Sequence, residues 1–282
     1  MLAGAKPARA YASGRIAERS ATVAAVRILV GLFTCCALLL FVARAHAADA
    51  PPAWCAPETE TLPSSVCHFD GNEAGRRTLV IFLHGVVPKS STWQWTQQRA
   101  ILREARQFHF AAIMPRALPV GPNGAAGFAW PGSVGRDESV ERELIDQWMN
   151  AQHILEARAG RPFDEVFVVG FSSGAYFATS LAVRDRVKAD GYVVLAGGSA
   201  SKVAADVEHK APIFIGVSSR DNATAPGARA LGAALAARSW PHKVDEEPIG
   251  HMVSDVHVLH ALNYLRALVD RVTPQSAKHA AR

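Results

Sequence analysis

A serine between two glycines is the residue of this chain best suited to covalent chemistry. Ser172 stands at the centre of a G-x-S-x-G pattern, Gly170-Phe-Ser-Ser-Gly174. An apolar, β-branched run at 166–169 precedes the pattern, and residues 175–183 after it can form a helix with one buried face. A strand, a sharp turn and a helix are the setting in which such a serine acts as a nucleophile. The pattern arises by chance in about one chain in ten of this length and composition, so an incidental turn serine is the alternative unless partners are found.

The partners that a nucleophilic serine needs follow it in the expected order. Asp221 comes just after an apolar run at 213–217, and His251 comes after a weaker strand candidate at 243–247. An imidazole can take the serine proton near neutral pH, and a carboxylate orients that imidazole and stabilises its charged form. The order Ser172, Asp221, His251 is that of an acyl-transfer triad built on an α/β sheet.

Other residues compete for the acid and base roles. Asp221 alone would also fit a turn or a helix cap. Asp245 and Asp255 could replace it, but both lie too close in sequence to the histidine of the triad to arrive from a separate strand end. His257 and His260 could act as the base, but both fall within the predicted last helix, where a surface or packed histidine is the simpler explanation.

Two backbone N–H groups are expected to bind the oxyanion that forms during acyl transfer. One is that of Ser173, directly after the nucleophile. The other is that of Val86, which follows a buried run at 78–83 and the pair His84-Gly85. Each such donor is worth roughly 3–4 kcal/mol in the transition state.

A long loop at 116–136, rich in Gly and Pro, carries Phe128 and Trp130. A loop of this length in a compact domain is usually functional or mobile. The two aromatic residues are substrate-pocket candidates, and a role as loop anchors is equally compatible with the sequence.

The remaining pattern predicts alternating strands and helices. This alternation indicates an α/β fold with a mostly parallel sheet, helices on both faces, and chemistry at the carboxyl ends of the strands. The predicted strands are 78–83, 111–114, 166–169, 192–195 and 213–217, with 243–247 as an edge strand; the predicted helices are 93–106, 137–159, 175–183, 226–238 and 253–269.

The first 47 residues have the composition of an export signal. They carry six basic residues against Glu18, a net +5, which equals the charge of the whole 282-residue chain. The remainder is therefore neutral, which argues against a nucleic-acid partner. An apolar run at 28–43 precedes Ala45-His-Ala47, as in a cleavable signal peptide. An uncleaved signal anchor, which would tether the domain to a membrane, is the alternative.

Cysteine usage agrees with export to the periplasm or beyond. Outside the signal region only Cys55 and Cys67 remain, an even pair in a Pro- and Ser-rich segment, which predicts a disulfide. The expected organisation is a signal peptide at 1–47, a disulfide-held segment at 48–77, a catalytic domain at 78–272 and a flexible tail at 273–282. The sequence contains no evident metal-ligand cluster or phosphate loop, so no cofactor or metal is expected.

These motifs together resemble the α/β-hydrolase superfamily. The resemblance rests on His84-Gly85, Gly170-x-Ser-x-Gly174, Asp221 and Gly250-His251, and it spans about residues 78–269. Within the superfamily the chain is similar to the phospholipase/carboxylesterase group of serine esterases, and more distantly to polyhydroxybutyrate-depolymerase-like and feruloyl-esterase-like proteins. The resemblance implies that His84 shapes its loop and is not a second base. The group typically has glutamine after the nucleophile, where this chain has Ser173.

The function predicted from the sequence is hydrolysis of a small or lipid-like carboxylic ester through an acyl-enzyme on Ser172. A catalytically silent α/β-hydrolase fold that serves as a binding or envelope-associated protein is the alternative from another class. A further alternative keeps the triad and changes the bond to a thioester, lactone or amide.

Overall fold

The computed structural model of the chain describes residues 53–72, 75–131, 138–203 and 207–280. The predicted signal segment at 1–47 lies outside the described residues. Residues from Pro52 onwards form one compact unit. In the part of the chain that can be described, no helix has both the length and the apolar character that a membrane crossing requires.

The fold of the described residues is built on one sheet of eight strands: β1 (Glu60–Leu62), β2 (Val66–Asp70), β3 (Thr78–Leu83), β4 (Ala111–Met114), β7 (Glu165–Phe171), β8 (Gly191–Leu195), β9 (Ile213–Ser218) and β10 (His242–Glu247). Their order in the sheet is β1-β2-β4-β3-β7-β8-β9-β10. Strands β4, β3, β7, β8, β9 and β10 run parallel, whereas β2 pairs antiparallel with β4, and β1 pairs antiparallel with β2. A separate hairpin pairs β5 (Leu118–Val120) with β6 (Gly127–Ala129).

In the described part of the chain, five α-helices cover the sheet on both sides, which confirms the predicted α/β architecture. They are α1 (Trp93–Phe108), α2 (Glu138–Ala159), α3 (Ser173–Ala182), α4 (Ala225–Ala236) and α5 (Asp255–Ala280). The central strands are buried on both faces because each face has its own apolar layer. Trp148, Phe177 and Leu231 of α2, α3 and α4 share one layer, and Ile101 and Leu265 of α1 and α5 share the other.

Two sequence expectations differ from the structure. The sequence predicts no strand in the disulfide-held segment at 48–77, yet this segment contributes β1 and β2, which are too short to give a clear alternating pattern. The flexible tail expected from residue 273 is instead helical as far as Ala280, because α5 continues beyond the predicted end near Val269. The edge strand predicted at 243–247 is β10, and its acidic residues tolerate that position since the strand is half solvent-facing.

Candidate active site

The sharp turn between β7 and α3 presents Ser172. Its backbone has φ 52° and ψ −117°, a conformation that costs a residue with a side chain about 1–3 kcal/mol. The flanking glycines are required by close packing. A Cβ on Gly170 would lie 2.3 Å from the carbonyl oxygen of Gly174, and a Cβ on Gly174 would lie 2.0 Å from that of Leu83. The motif therefore holds α3 against β7 and β3 with the serine side chain at the sheet edge.

The structure brings together the three side chains that the sequence singled out for catalysis. The Nε2 atom of His251 lies 2.9 Å from Oγ of Ser172, and its Nδ1 lies 2.6 Å from Oδ2 of Asp221. With Nδ1 protonated, the imidazole donates to the carboxylate and leaves Nε2 free to accept the serine proton. The ring of Phe171 supports the imidazole, with the two centroids 4.9 Å apart.

Asp221 is held as an ionised acceptor. Burial opposes its ionisation, but hydrogen bonds from Thr224 and His251 outweigh that effect, so the pKa of Asp221 lies below its ordinary value. Thr224 Oγ1 donates to Oδ2, and the N–H of Ala223 donates to Oδ1 at 3.1 Å. The sequence analysis did not identify Thr224. Its position three residues after Asp221 nevertheless fits a short turn in which the aspartate carboxylate accepts hydrogen bonds from the residues that follow it.

The alternative acids and bases have other partners. Asp245 pairs with His260 and Asp255 pairs with Arg103. His257 is buried in the layer between α5 and the sheet. None of these four sequence-derived alternatives is bonded to Ser172 within the described residues.

The loop after β3 lies against the serine. A Cβ on Gly85 would be 2.9 Å from Cδ1 of Phe171 and 3.1 Å from Cβ of Ser172, so a side chain here would have to displace the Phe171 ring or the serine turn. The Nδ1 atom of His84 donates to the carbonyl oxygen of Gly85 at 2.5 Å, and Nε2 accepts from the N–H of Ala117 at 3.0 Å. Burial lowers the pKa of His84 to about 4, which keeps the ring neutral for these two roles. His84 thus shapes the loop.

The two expected oxyanion donors are available for a ligand. Within the described residues, neither the N–H of Val86 nor that of Ser173 donates to a protein acceptor. Gln97, which sequence reasoning did not single out, accepts from the N–H of Gly85 through Oε1 at 2.6 Å. No sequence signal marks this glutamine, because its role depends on how α1 packs beside the loop.

Trp130 has contacts that fix the loop, and Phe128 adds a backbone pairing to the same loop. Trp130 is buried, stacks on Phe177 with centroids 5.4 Å apart, and donates from Nε1 to the carbonyl of His84 at 2.9 Å. Phe128 is partly exposed, and its backbone pairs with Val87. These contacts are those of loop anchors, and Phe128 remains the better candidate for a pocket wall.

The N-terminal segment, from residue 53 to residue 72, packs against the loop after β3. Trp54 contacts both His84 and Phe128, with ring centroids 5.0 and 5.2 Å away. The Cα atoms of Cys55 and Cys67 lie 5.3 Å apart with their sulfurs at bonding distance. The segment is thereby placed where it supports His84.

A family model described as Phospholipase/Carboxylesterase matches residues 71–246, so the chain belongs to that family. Its class is that of the serine ester hydrolases with an α/β-hydrolase fold, as the sequence predicted. Acyl-protein thioesterase 1 of Saccharomyces cerevisiae is 30% identical over 155 residues, which cover 50% of this chain and 68% of that protein.

Solved structures agree on the fold. A carboxylesterase from Mesorhizobium loti has 18% identity and a TM-score of 0.53, with 74% of this chain and 99% of the other covered. A carboxylesterase from Bacillus cereus has 16% identity and a TM-score of 0.51, with 72% and 93% covered.

Proposed function

We propose that the protein is an exported serine hydrolase that cleaves carboxylic esters through an acyl-enzyme on Ser172. The observation that carries the proposal is the hydrogen-bonded series from Ser172 through His251 to Asp221, with distances of 2.9 and 2.6 Å. Ser172 also holds a strained backbone conformation beside an oriented imidazole, and such strain clusters at functional sites. The same series argues against a catalytically silent fold.

The proposed reaction begins when Nε2 of His251 takes the proton of Ser172 as Oγ attacks the ester carbonyl. The negative charge that develops on the carbonyl oxygen is stabilised by the N–H groups of Val86 and Ser173. Protonated His251, stabilised by Asp221, then returns its proton to the departing alcohol. Water repeats the sequence on the acyl-enzyme and releases the acid.

The decisive variant is Ser172→Ala, with Ser201→Ala as the matched control at an exposed serine. Ser172→Ala is expected to lose turnover of a short p-nitrophenyl ester and labelling by a fluorophosphonate probe while its circular dichroism spectrum stays unchanged. The control is expected to keep both activities. Full turnover in Ser172→Ala would contradict the proposal. A wild-type protein that neither reacts with the probe nor turns over the ester would favour the catalytically silent binding role.

Thioester hydrolysis is the second candidate, because the yeast relative is named as an acyl-protein thioesterase. The same acyl-enzyme would form, and the leaving group would be a thiol. Comparing kcat/KM for an S-acylated cysteine peptide and for the oxygen ester of the same acyl chain separates the two. A ratio of tenfold or more towards the thioester would assign that activity; a ratio of tenfold or more towards the oxygen ester would assign the first.

Export is proposed from the basic, apolar and A-x-A pattern of residues 1–47 together with the Cys55–Cys67 pair. The expected mature N-terminus is Ala48. N-terminal sequencing of the protein recovered from its native host tests this, and an intact Met1 in a membrane fraction would favour the uncleaved anchor. Thiol titration of the unfolded protein tests the disulfide, for which no free Cys55 or Cys67 is expected.

A further inference from the structure

Arg116 lies at the edge of the sheet where the catalytic groups are found. It follows β4 by two residues, and the N–H of the next residue, Ala117, donates to Nε2 of His84 at 3.0 Å. Its guanidinium carbon lies 5.3 Å from the ring centroid of Phe128 and 6.0 Å from that of Trp54. These three side chains are called the Arg116 platform below. Arg116 and Phe128 are both partly exposed, so a ligand can reach them from solvent.

The guanidinium of Arg116 has no hydrogen-bond acceptor and no acidic partner within the described residues. The four other arginines that are buried or half-buried there each donate to a protein oxygen; they are Arg77, Arg184, Arg238 and Arg266. A partly desolvated cation without an acceptor is costly, because it has given up water and gained no hydrogen bond. The planar guanidinium is suited to carboxylate oxygens. The surroundings of Arg116 therefore lack the kind of group that its side chain binds best.

The groups around Arg116 add no negative charge. Contact with the ring faces of Trp54 and Phe128 stabilises the cation but gives its N–H groups no oxygen to donate to. His84 stays neutral, because burial lowers its pKa to about 4. The buried Nε1 of Trp54 is a second donor that lacks an acceptor in the described part of the chain. The Arg116 platform thus offers a single positive charge and spare donors, which favours a singly charged carboxylate over a doubly charged phosphate.

The backbone of Phe128 connects the Arg116 platform to the expected oxyanion donor. The N–H of Phe128 donates to the carbonyl of Val87 at 2.8 Å, and the N–H of Val87 donates to the carbonyl of Phe128 at 3.0 Å. Val87 directly follows Val86, whose N–H is expected to bind the substrate carbonyl. An ester attacked by Ser172 is therefore held beside the segment that positions the platform.

We propose that Arg116 binds a carboxylate on the substrate, so that the enzyme selects esters with an acidic group on the acyl part or on the leaving group. The inference rests on the proposed function, because it names the substrate class of the same site. The guanidinium would donate two N–H groups to the carboxylate oxygens, in the paired geometry that arginine and carboxylate adopt. Phe128 would border the apolar part of the substrate between the charged group and the ester.

The test compares charged and neutral esters in two matched pairs. Mono-p-nitrophenyl adipate and p-nitrophenyl hexanoate differ by a carboxylate on the acyl part, and para-acetoxybenzoate and para-acetoxybenzamide differ by one on the leaving group. The ratio of kcat/KM for the charged ester to that for the neutral ester is expected to fall about tenfold or more in Arg116→Met, for at least one pair. The methionine keeps an apolar stem against Phe128, and Arg116→Lys should keep part of the preference.

Arg106→Met is the matched control. The guanidinium carbon of Arg106 also lies over an aromatic ring, 4.8 Å from the centroid of Phe69. Phe69 pairs in register with Ala112 near the start of β4, whereas Arg116 follows the end of that strand. The control therefore removes one positive charge and one cation–π contact without touching the Arg116 platform, and its ratios should equal those of wild type.

A fall of the ratio in Arg116→Met with wild-type ratios in Arg106→Met supports the proposal, and the affected pair shows which part of the substrate carries the carboxylate. Equal ratios in wild type and Arg116→Met for both pairs overturn it, as does an equal fall in the control. Arg116 would then only cover the rings of Trp54 and Phe128. If circular dichroism shows that Arg116→Met does not fold, Arg116→Gln takes its place in the same comparison.

A binding measurement separates this proposal from the proposed function. Isothermal titration of the Ser172→Ala protein with each ester gives the same comparison without turnover. Adding Arg116→Met to that protein is expected to weaken the binding of a charged ester about tenfold or more and to leave its neutral partner unchanged. Unchanged affinity for both charged esters overturns the role of Arg116, whether or not wild type hydrolyses them.

Discussion

The side-chain oxygen of Gln97 accepts a hydrogen bond from the backbone N–H of Gly85 at 2.6 Å. On the other side of that glycine, His84 donates to the Gly85 carbonyl at 2.5 Å. Because a trans peptide points its C=O and N–H in opposite directions, the second contact turns the N–H of Val86 away from His84. The two contacts therefore fix the peptide that is expected to stabilise the oxyanion.

Replacing Gln97 with methionine is expected to lower kcat about tenfold with little change in KM, because a loosened Gly85 no longer presents the Val86 N–H in place. The free energy of unfolding should fall by about 1–3 kcal/mol, since a buried N–H is left unpaired. Gln94→Met is the control: Gln94 is buried on the same helix but donates to the carbonyl of Ala53. Equal losses of kcat in the two variants would contradict a positioning role for Gln97.

The hydroxyl group of Thr224 is expected to be required for full activity. Thr224→Val removes a hydrogen bond to the Asp221 carboxylate, and such a bond to a charged group is worth about 1.5–3 kcal/mol. We expect kcat/KM for a short ester to fall at least tenfold, and Thr224→Ser to restore most of it. Steady-state kinetics of the two variants at one pH provide the measurement. Should the valine variant keep full activity, the bond would be irrelevant to the orientation of His251.

His84 is expected to make stability decline in acid. Its pKa is lowered to about 4 by burial, whereas the unfolded chain binds the proton near 6.5. The unfolded state therefore gains a proton first, and about 3 kcal/mol of stability is lost as the pH falls from above 6.5 to below 4. Urea unfolding at pH 7.5, 5.5 and 4.5 measures this slope. His84→Gln should flatten it, while the exposed His153→Gln should leave it unchanged.

Glu104 is expected to make the stability of the folded state decline as the pH rises. Burial, followed by the charge of Asp255, raises its pKa to about 7 from 4.5. The unfolded state thus releases this proton first, and the folded state loses stability as the pH rises from about 4.5 to 7. Glu104→Gln is expected to raise the free energy of unfolding at pH 8 by about 2 kcal/mol and to change it little at pH 4.5. The exposed Glu143→Gln serves as control, and a stabilisation of equal size at both pH values would refute this explanation.

The site residues that could be predicted from the sequence are those that directly follow a predicted strand. Ser172, Asp221 and His251 all come after buried or half-buried runs, and the carboxyl ends of parallel strands meet at one edge. Gln97 could not be predicted, because its role depends on the packing of α1 beside the loop after β3. The same holds for Asp245 and His260, which meet only because α5 folds back over β10.

The fold was predictable where apolar runs were long and unpredictable where they were short. Strands β3, β4 and β9 are continuous apolar segments, so their bounds could be predicted closely from the sequence. Strand β1 has three residues and gains its conformation from pairing with β2, a contact that local composition does not encode. Trp130 could be assigned neither to the pocket nor to the loop, because both surroundings favour an aromatic ring.

Ser172 and His251 follow strands that have different numbers of neighbouring strands in the sheet. Ser172 follows β7, which is hydrogen-bonded to β3 on one side and β8 on the other, whereas His251 follows β10, which pairs with β9 alone. Local opening is easier where fewer strands must separate. An opening confined to β10 would therefore displace the imidazole from Ser172 and leave the pairing of β7 with both of its neighbours intact.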